Sequence, residues 1–261
     1  MDCKIIFLGI AGNDSPYQQL ISAGGIILKL EDKQFHIDPG PGALISYKEA
    51  NVNPKETNVI FATHSHLNHF NDVNAIINTI SFPGADKVGS LILSKSLSEE
   101  RFLRDCLKEV SSLSPNQEKY FGSIKVKTLP AKHSDEHTIG LRFTTPNLTI
   151  TYSSDTGYSK KIIEAYKNTD ILILNNVFPL NHEKSKNNLN TLDSIKIINQ
   201  IKPSLAIITH FSTKMLEANP LYEAREIQKQ TEVQTIAAKD GLIINPLSKS
   251  ISLRQKSLNQ Y

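Results

Sequence analysis

Three closely spaced histidines give this sequence its first chemical signal. The stretch FATHSHLNHFNDV, residues 61–73, places His64, His66 and His69 within six positions behind a short apolar run. Imidazole nitrogens bind zinc and other divalent transition metals, and alternate residues of a loop that leaves a strand can converge on one ion. The triple therefore predicts a metal site. The spacing alone leaves open the alternative of three surface histidines without a metal.

Further candidate ligands lie downstream, each next to a predicted strand end. His133 stands in LPAKHSDEH, Asp155 in TYSSDTG and His210 in AIITHFS, while Asp38 ends another predicted strand in FHIDPGPG. A strand end followed by a loop is a place where a rigid scaffold can direct a side chain. Each of these histidines taken singly is more often structural than a ligand. Together the strand ends predict one shared site.

Composition limits the chemistry of that site and the class of protein. Cys3 and Cys106 are far apart and outside any C-x-x-C, so neither a thiolate zinc site nor a disulfide framework is indicated. The 261 residues are 39% hydrophobic and 21% charged, with a net charge of +3, which is too balanced to argue for nucleic acid. The apolar runs are too short to span a membrane, and the first residues lack a signal-peptide layout. We therefore expect a cytoplasmic protein without a membrane partner.

Strand-like runs must position these residues. They recur from KIIFL near the start to GLIIN near the end, mostly as short apolar segments bounded by turn residues. Strands dominate the first half, and strands and helices alternate in the second. No linker or low-complexity tract divides the chain, so we expect one α/β domain over residues 1–261, with two sheets and outer helices. Helical spacing of apolar residues predicts helices at 72–81, 97–110, 160–168, 191–201 and 220–231.

In the order and context of these residues, the chain resembles the metallo-β-lactamase superfamily, in its compact RNase Z-like or phosphodiesterase-like branch. The stretches FLGIAGND and HIDPGPGAL are similar to that superfamily's opening strands and Asp-Pro-Gly turn. The resemblance spans nearly the whole chain. It implies an αββα sandwich of two mixed β-sheets with outer helices, and a site for two metal ions.

The resemblance also implies a division of the ligands. It assigns three histidines to a first metal: His64, His66 and His133. It assigns His69 and His210 to a second metal, with Asp155 as the bridge between the two. One or two divalent ions are expected, with zinc first and manganese or iron as alternatives. Such a site activates water for hydrolysis of an ester-type bond, here a phosphodiester or a lactone.

Two asparagines depart from the pattern. The superfamily reads H-x-H-x-D-H, whereas this chain has Asn68 at the acid position, and an amide brings no charge and cannot act as a base near neutral pH. Asn188 stands where related small hydrolases carry a histidine that acts as a proton donor or oxyanion contact. An amide can hydrogen-bond a substrate oxygen but cannot deliver a proton. The sequence therefore predicts weaker loading of the second metal site and an attenuated enzyme.

The sequence disfavours tRNA as a substrate. Only 21 residues separate His133 from Asp155, which leaves no room for the long arm of the tRNA 3′-end endonucleases. We therefore expect a small-molecule ester or phosphoester as substrate rather than nucleic acid. The sequence leaves open whether the protein forms a homodimer. The rival hypothesis is a non-catalytic metal-binding or regulatory protein of the same fold, in effect a pseudoenzyme.

Overall fold

The computed structural model describes residues 3–81 and 87–253 of the chain. Its helices in these ranges are Ser15–Gln18 (α1), Ala43–Glu49 (α2), Leu67–Phe70 (α3), Val73–Ile80 (α4), Lys160–Tyr166 (α5), Thr191–Ile201 (α6), Thr213–Glu217 (α7) and Pro220–Thr231 (α8). Its strands are Lys4–Phe7 (β1), Ile26–Leu30 (β2), Lys33–Ile37 (β3), Thr57–Ala62 (β4), Ser90–Ser94 (β5), Glu109–Leu113 (β6), Glu118–Phe121 (β7), Ile124–Pro130 (β8), Ile139–Thr145 (β9), Leu148–Tyr152 (β10), Ile171–Asn175 (β11), Leu205–Thr209 (β12), Thr235–Ala237 (β13), Leu242–Asn245 (β14) and Ser250–Leu253 (β15).

The strands form two sheets that each mix parallel and antiparallel pairs. The first sheet has the order β15-β14-β1-β2-β3-β4-β5-β6, and the second has the order β13-β12-β11-β10-β9-β8-β7. In the first sheet the pairs from β3 to β6 are parallel and the others antiparallel. In the second, the pairs from β10 to β13 are parallel. Two mixed sheets were expected and are confirmed.

Helices cover the outer faces, and the largest core lies between the sheets. Phe35 and Phe61 from the first sheet pack with Phe143 from the second, and the Phe35 and Phe143 rings meet edge to face at 5.3 Å between centroids. Ile76 of α4 belongs to the apolar cluster outside the first sheet, and Ile198 of α6 to the cluster outside the second. This burial of apolar surface on both faces of each sheet produces the αββα layering that the family resemblance implied.

The predicted helices have different outcomes. Those at 72–81, 160–168, 191–201 and 220–231 are confirmed to within two residues at either end. The helix predicted at 97–110 is wrong, because this segment contains only short 3₁₀ turns before Glu109–Leu113 adds a parallel strand to β5. Tertiary pairing with a buried strand here overrides the helical spacing of the side chains. Within the described residues, no helix is long and apolar enough to cross a membrane.

Candidate metal centre

The predicted site residues leave the sheets at strand ends. Asp38 follows β3, His64 lies two residues after β4, and His210 follows β12 directly. Asp38 and His210 have positive φ angles of 54° and 64°, as has Ser154 at 55°, a region that non-glycine residues seldom adopt. Such strain persists only where the surrounding structure enforces it. Asp38, Ser154 and His210 thus adopt this conformation at strand ends that meet around one place.

Two glycines allow the turns to approach each other closely. A Cβ atom at Gly40, in the PGPG loop after β3, would lie 2.0 Å from the carbonyl oxygen of Asn68. A Cβ atom at Gly12 would lie 2.4 Å from Cδ2 of His210. Neither distance is compatible with a side chain, so glycine is required at both positions. The absence of these side chains lets the Asn68 and His210 loops reach the site.

The helix after the histidine triple fixes that loop to the core. Val73, Ile76 and Ile77 of α4 are fully buried at helical spacing. The backbone N–H of Asp72 at the start of α4 donates to Pro39 O at 2.9 Å, which ties the helix to the loop after β3. The loop that carries the triple is thus held at both ends.

One group of four donors surrounds a common point. Its members are His64, His66, His133 and Asp155, and their ligand atoms all lie within 4.8 Å of one another. Nδ1 of His66 is 3.1 Å from Nε2 of both His64 and His133. Oδ2 of Asp155 is 3.9 Å from His64 Nε2 and 3.8 Å from His133 Nε2.

A second group of three donors shares the same carboxylate. Its members are His69, Asp155 and His210, again with ligand atoms within 4.8 Å of one another. Nε2 of His69 and Nε2 of His210 are 3.2 Å apart. Asp155 faces His69 with Oδ2 at 3.6 Å and His210 with Oδ1 at 3.2 Å. Asp155 therefore lies between the two groups and presents a different oxygen to His210 than to the first group.

These separations fit a metal ion. Two nitrogens bound to one tetrahedral zinc at its usual bond length lie about 3.3 Å apart, close to the 3.1 Å and 3.2 Å found here. Three pairs of imidazole nitrogens also face each other: His64 with His66, His66 with His133, and His69 with His210. Each pair can have at most one proton between its two nitrogens. The donor set, five imidazoles and one carboxylate, suits zinc and other divalent transition metals. The cluster can hold metal.

Electrostatics keep the shared carboxylate ionised. Burial raises the pKa of Asp155, but His210 and His69 outweigh burial and hold this pKa well below its ordinary range. For His69, burial lowers the pKa, and Asp155 and Asp38 outweigh it and raise the pKa to about 10. Metal at the second group therefore competes with a proton on His69. Asp155 is already deprotonated, so a metal does not have to displace a proton from it.

His64, His66 and His210 favour their neutral form, which is the form that ligates metal. Burial, reinforced by His69, lowers the pKa of His64 well below its ordinary value. Burial together with His133 lowers the pKa of His66, and burial lowers that of His210 against the opposing effect of Asp155. Neutral imidazoles beside an ionised carboxylate form a donor set ready for a cation.

Asp38 supports the second group from behind. Its Oδ2 lies 2.9 Å from Nδ1 of His69 and accepts hydrogen bonds from the hydroxyls of Thr63 and Tyr152 at 2.8 and 3.0 Å. Its Oδ1 accepts the Thr63 backbone N–H at 2.8 Å. A carboxylate on Nδ1 fixes the imidazole orientation and leaves Nε2 free to ligate. Sequence reasoning marked Asp38 only as a strand end and missed this role.

Asn175 orients Asp155 in the same way. Its Nδ2 donates to Oδ1 of Asp155 at 2.7 Å and to the hydroxyl of Tyr152 at 3.1 Å. Asn175 is fully buried at the end of β11. Sequence reasoning missed both Asn175 and Tyr152, because each ends an apolar run that reads as an ordinary core strand. No local signal distinguishes them.

The two asparagines that replace ionisable groups line an open cleft of about 560 Å³. Asn68 is buried, and its Nδ2 lies 3.2 Å from Nε2 of His210. Asn188 has a buried Oδ1 without a hydrogen-bond partner, and its backbone N–H donates to Ser185 Oγ at 3.2 Å. His66, His133 and Asp155 line the same cleft. The structure thus brings all the predicted site residues to this cleft or directly behind it.

Comparison with known proteins gives a family and one relative of high coverage. Residues 33–211 match the family described as the beta-lactamase superfamily domain. An uncharacterized protein of Methanocaldococcus jannaschii is 32% identical over 260 residues, covering 95% of this chain and 97% of the relative. The range that matches the family, residues 33–211, contains every residue of the two donor groups.

Solved structures of low sequence identity share the fold. The metallo-beta-lactamase fold protein YhfI from Bacillus subtilis has a TM-score of 0.80 at 18% identity, covering 93% of this chain and 99% of YhfI. Human tRNase Z, short form, has a TM-score of 0.70 at 15% identity, covering 92% of this chain and 98% of the tRNase Z chain. A diphosphatase from the PhnP family has a TM-score of 0.68 at 18% identity, covering 98% of this chain and 100% of the diphosphatase chain.

Proposed function

Because the chain belongs to the metallo-β-lactamase superfamily, whose family model matches residues 33–211, we propose that it is a metal-dependent hydrolase of ester bonds in the RNase Z-like branch. One observation carries the proposal: two groups of metal-binding side chains share Asp155 at the wall of an open cleft. A purely structural metal is normally enclosed by its ligands, whereas a catalytic one needs access for substrate. His66 and His133 line the cleft and provide that access.

The arrangement supports the following metal-binding roles. His64, His66 and His133 would hold a first ion, and His69 and His210 would hold a second, with Asp155 a member of both donor groups. Zinc is the first choice, since five imidazoles suit it, with manganese or iron as alternatives. When bound, the ion supplies an activated water and polarises the ester oxygen. Asp38 and Asn175 keep His69 and Asp155 in position for this.

A phosphodiester is the proposed bond, with a lactone as the alternative. Two of the structural neighbours are by name a diphosphatase and a tRNase, and both names favour a bond to phosphorus over a lactone. We propose a small molecule rather than RNA. Between His133 and Asp155 the chain has only the hairpin of β9 and β10, and among the described residues that line the cleft there is no lysine or arginine to bind a polyanionic backbone.

Asn68 and Asn188 support a second candidate function, a metal-binding protein without useful turnover. Neither amide can carry a proton at neutral pH, although both lie at the cleft. Asn188 can still donate a hydrogen bond to a substrate oxygen through Nδ2. We therefore propose attenuated hydrolysis in preference to none, since the first donor group keeps four members.

Hydrolysis of bis(p-nitrophenyl) phosphate tests the proposal. Wild-type protein with added zinc or manganese should release nitrophenol, and Asp155→Asn should not. The Leu20→Ala variant is a matched control, because Leu20 is 88% exposed and does not line the cleft. Bound metal without turnover on phosphodiesters or lactones would favour the non-catalytic candidate. Lack of metal binding would contradict both.

A further inference from the structure

Two apolar side chains lie exposed at the same cleft. Tyr17 of α1 is 53% exposed and Leu67, the first residue of α3, is 56% exposed. Both line the cleft together with His66, His133 and Asp155. A single exposed apolar residue is common, but two on the wall of one cleft provide a surface on which an apolar group of a ligand can be desolvated.

Tyr17 is held in a fixed relation to the metal-binding side chains. Ser15 Oγ, at the start of α1, donates to Phe211 O at 2.6 Å, and the Thr213 backbone N–H donates to Asp14 Oδ1 at 3.1 Å. These bonds connect α1 to the loop that begins at His210. The aromatic ring is therefore part of a wall built on the same loop as a proposed ligand.

Leu67 is fixed even more directly, because it stands between two site residues. His66 precedes it in the first donor group, and Asn68 follows it beside His210. The backbone N–H of His69 donates to His66 O at 2.9 Å and closes a turn around Leu67. The leucine side chain is thereby placed on the open side of the metal-binding loop.

The rest of the cleft wall is polar but uncharged. Apart from Tyr17 and the three donor residues, the described lining residues carry amides, hydroxyls or, at Leu67, an apolar chain. Lys184 and Lys186 are exposed in the neighbouring loop but do not line the cleft. An anionic ester group in this cleft would therefore be met by bound metal and by hydrogen bonds from the wall, since no side-chain cation among the described residues lines it.

We propose that the cleft binds an ester with a flat aromatic substituent, which stacks on Tyr17 and contacts Leu67. This deepens the proposed function and rests on it for the position of the ester group at the metal. Tyr17 and Leu67 are then specificity residues. They contribute to binding through ring stacking and apolar contact and take no part in bond cleavage.

Binding of two phosphodiesters to zinc-loaded protein tests this without turnover. Calorimetry should show that wild type binds diphenyl phosphate at least tenfold more tightly than dimethyl phosphate. Tyr17→Ala should weaken diphenyl phosphate binding about tenfold and leave dimethyl phosphate unchanged, and Tyr17→Phe should retain most of the affinity. Tyr222→Ala is the matched control, because Tyr222 is 61% exposed on α8 and does not line the cleft.

Three results would overturn the subsite. They are equal affinity of wild type for both diesters, no binding of diphenyl phosphate, and equal weakening of both ligands by Tyr17→Ala. The two proposals fail separately. Selective aryl binding without hydrolysis of any ester would overturn the proposed function and support the subsite, whereas hydrolysis of bis(p-nitrophenyl) phosphate at unchanged KM in Tyr17→Ala would overturn the subsite alone.

Discussion

The side-chain nitrogen of Asn68 lies 3.2 Å from Nε2 of His210. An amide N–H in this position donates to the imidazole lone pair, which is the same lone pair that a metal at the second donor group requires. With this hydrogen bond in place, Asn68 would compete with an ion at the second donor group, in addition to lacking a charge. A carboxylate in its place would provide a ligand and remove the competing donor.

The first prediction follows from this contact. Asn68→Asp should raise the occupancy of the second metal from partial to about one ion per chain and increase phosphodiesterase activity by tenfold or more, because it adds an anionic oxygen ligand. Metal analysis after dialysis and bis(p-nitrophenyl) phosphate kinetics measure the two effects. Asn71→Asp adds the same charge at an exposed position nearby and should change neither. An unchanged metal content in Asn68→Asp would contradict the assignment of this position.

Removal of the shared carboxylate should affect both metals together. In Asp155→Asn, zinc affinity at both donor groups should fall by more than a hundredfold, since loss of a ligand exceeds the 10–100-fold cost of losing a supporting residue. Competition titration against a coloured chelator measures the affinities, and circular dichroism checks that the fold is retained. Loss of only one of two bound ions would show that Asp155 does not bridge the groups.

Removal of the support behind His69 should affect one group only. Asp38→Asn should lower zinc affinity at the second group by roughly 10–100-fold and leave the first group unchanged. It should also cost about 1–3 kcal/mol of unfolding free energy, because three buried donors lose a charged acceptor. Asp32→Asn, at an exposed turn six residues earlier, is the control. Equal losses at both groups would contradict a specific role for Asp38.

A pH-dependent loss of stability is expected away from the metal centre. His36 is fully buried, with Nε2 on Gly24 O at 2.8 Å and Nδ1 on the Tyr47 hydroxyl at 3.0 Å, and burial lowers its pKa to about 4. The unfolded chain therefore binds the proton more readily between pH 4 and the ordinary value of 6.5. The stabilisation is fully present above pH 6.5 and is lost as the pH falls toward 4.

Urea unfolding between pH 4.5 and 7.5, with metal removed by a chelator, measures this effect. His36 should contribute at most about 1.4 kcal/mol per pH unit to the slope. His36→Gln should reduce the slope accordingly, whereas His137→Gln, at an exposed position, should leave it unchanged. Equal slopes for wild type and His36→Gln would contradict the prediction.

The sequence predicts strands whose apolar side chains form a run or occupy alternate positions. Strands β4 and β12 contain apolar runs, β3 and β10 alternate apolar with polar residues, and a candidate site residue follows the end of each. Strands β6, β7 and β15 were missed, because EVSSL, EKYF and SISL are polar or amphipathic and depend on pairing with a neighbouring strand.

The site divides along a similar line. His64, His66 and His69 are predicted as donors from type and spacing, whereas His133, Asp155 and His210 are predicted from their strand ends and from the family resemblance. The residues that orient them were not, because Tyr152 and Asn175 act through hydrogen bonds that only the paired sheets bring together. Tyr17 and Leu67 likewise cannot be recognised as cleft residues from the sequence, because only the folded chain brings α1 and α3 to the same cleft.

Metal content of the purified protein tests the central claim most directly. Wild-type protein equilibrated with excess zinc or manganese, then dialysed, should retain about one ion per chain at the first donor group and a weaker second ion. The number of metal ions retained per chain should fall to near zero in Asp155→Asn. Retention of less than a tenth of an ion per chain by wild type with either metal would contradict the account.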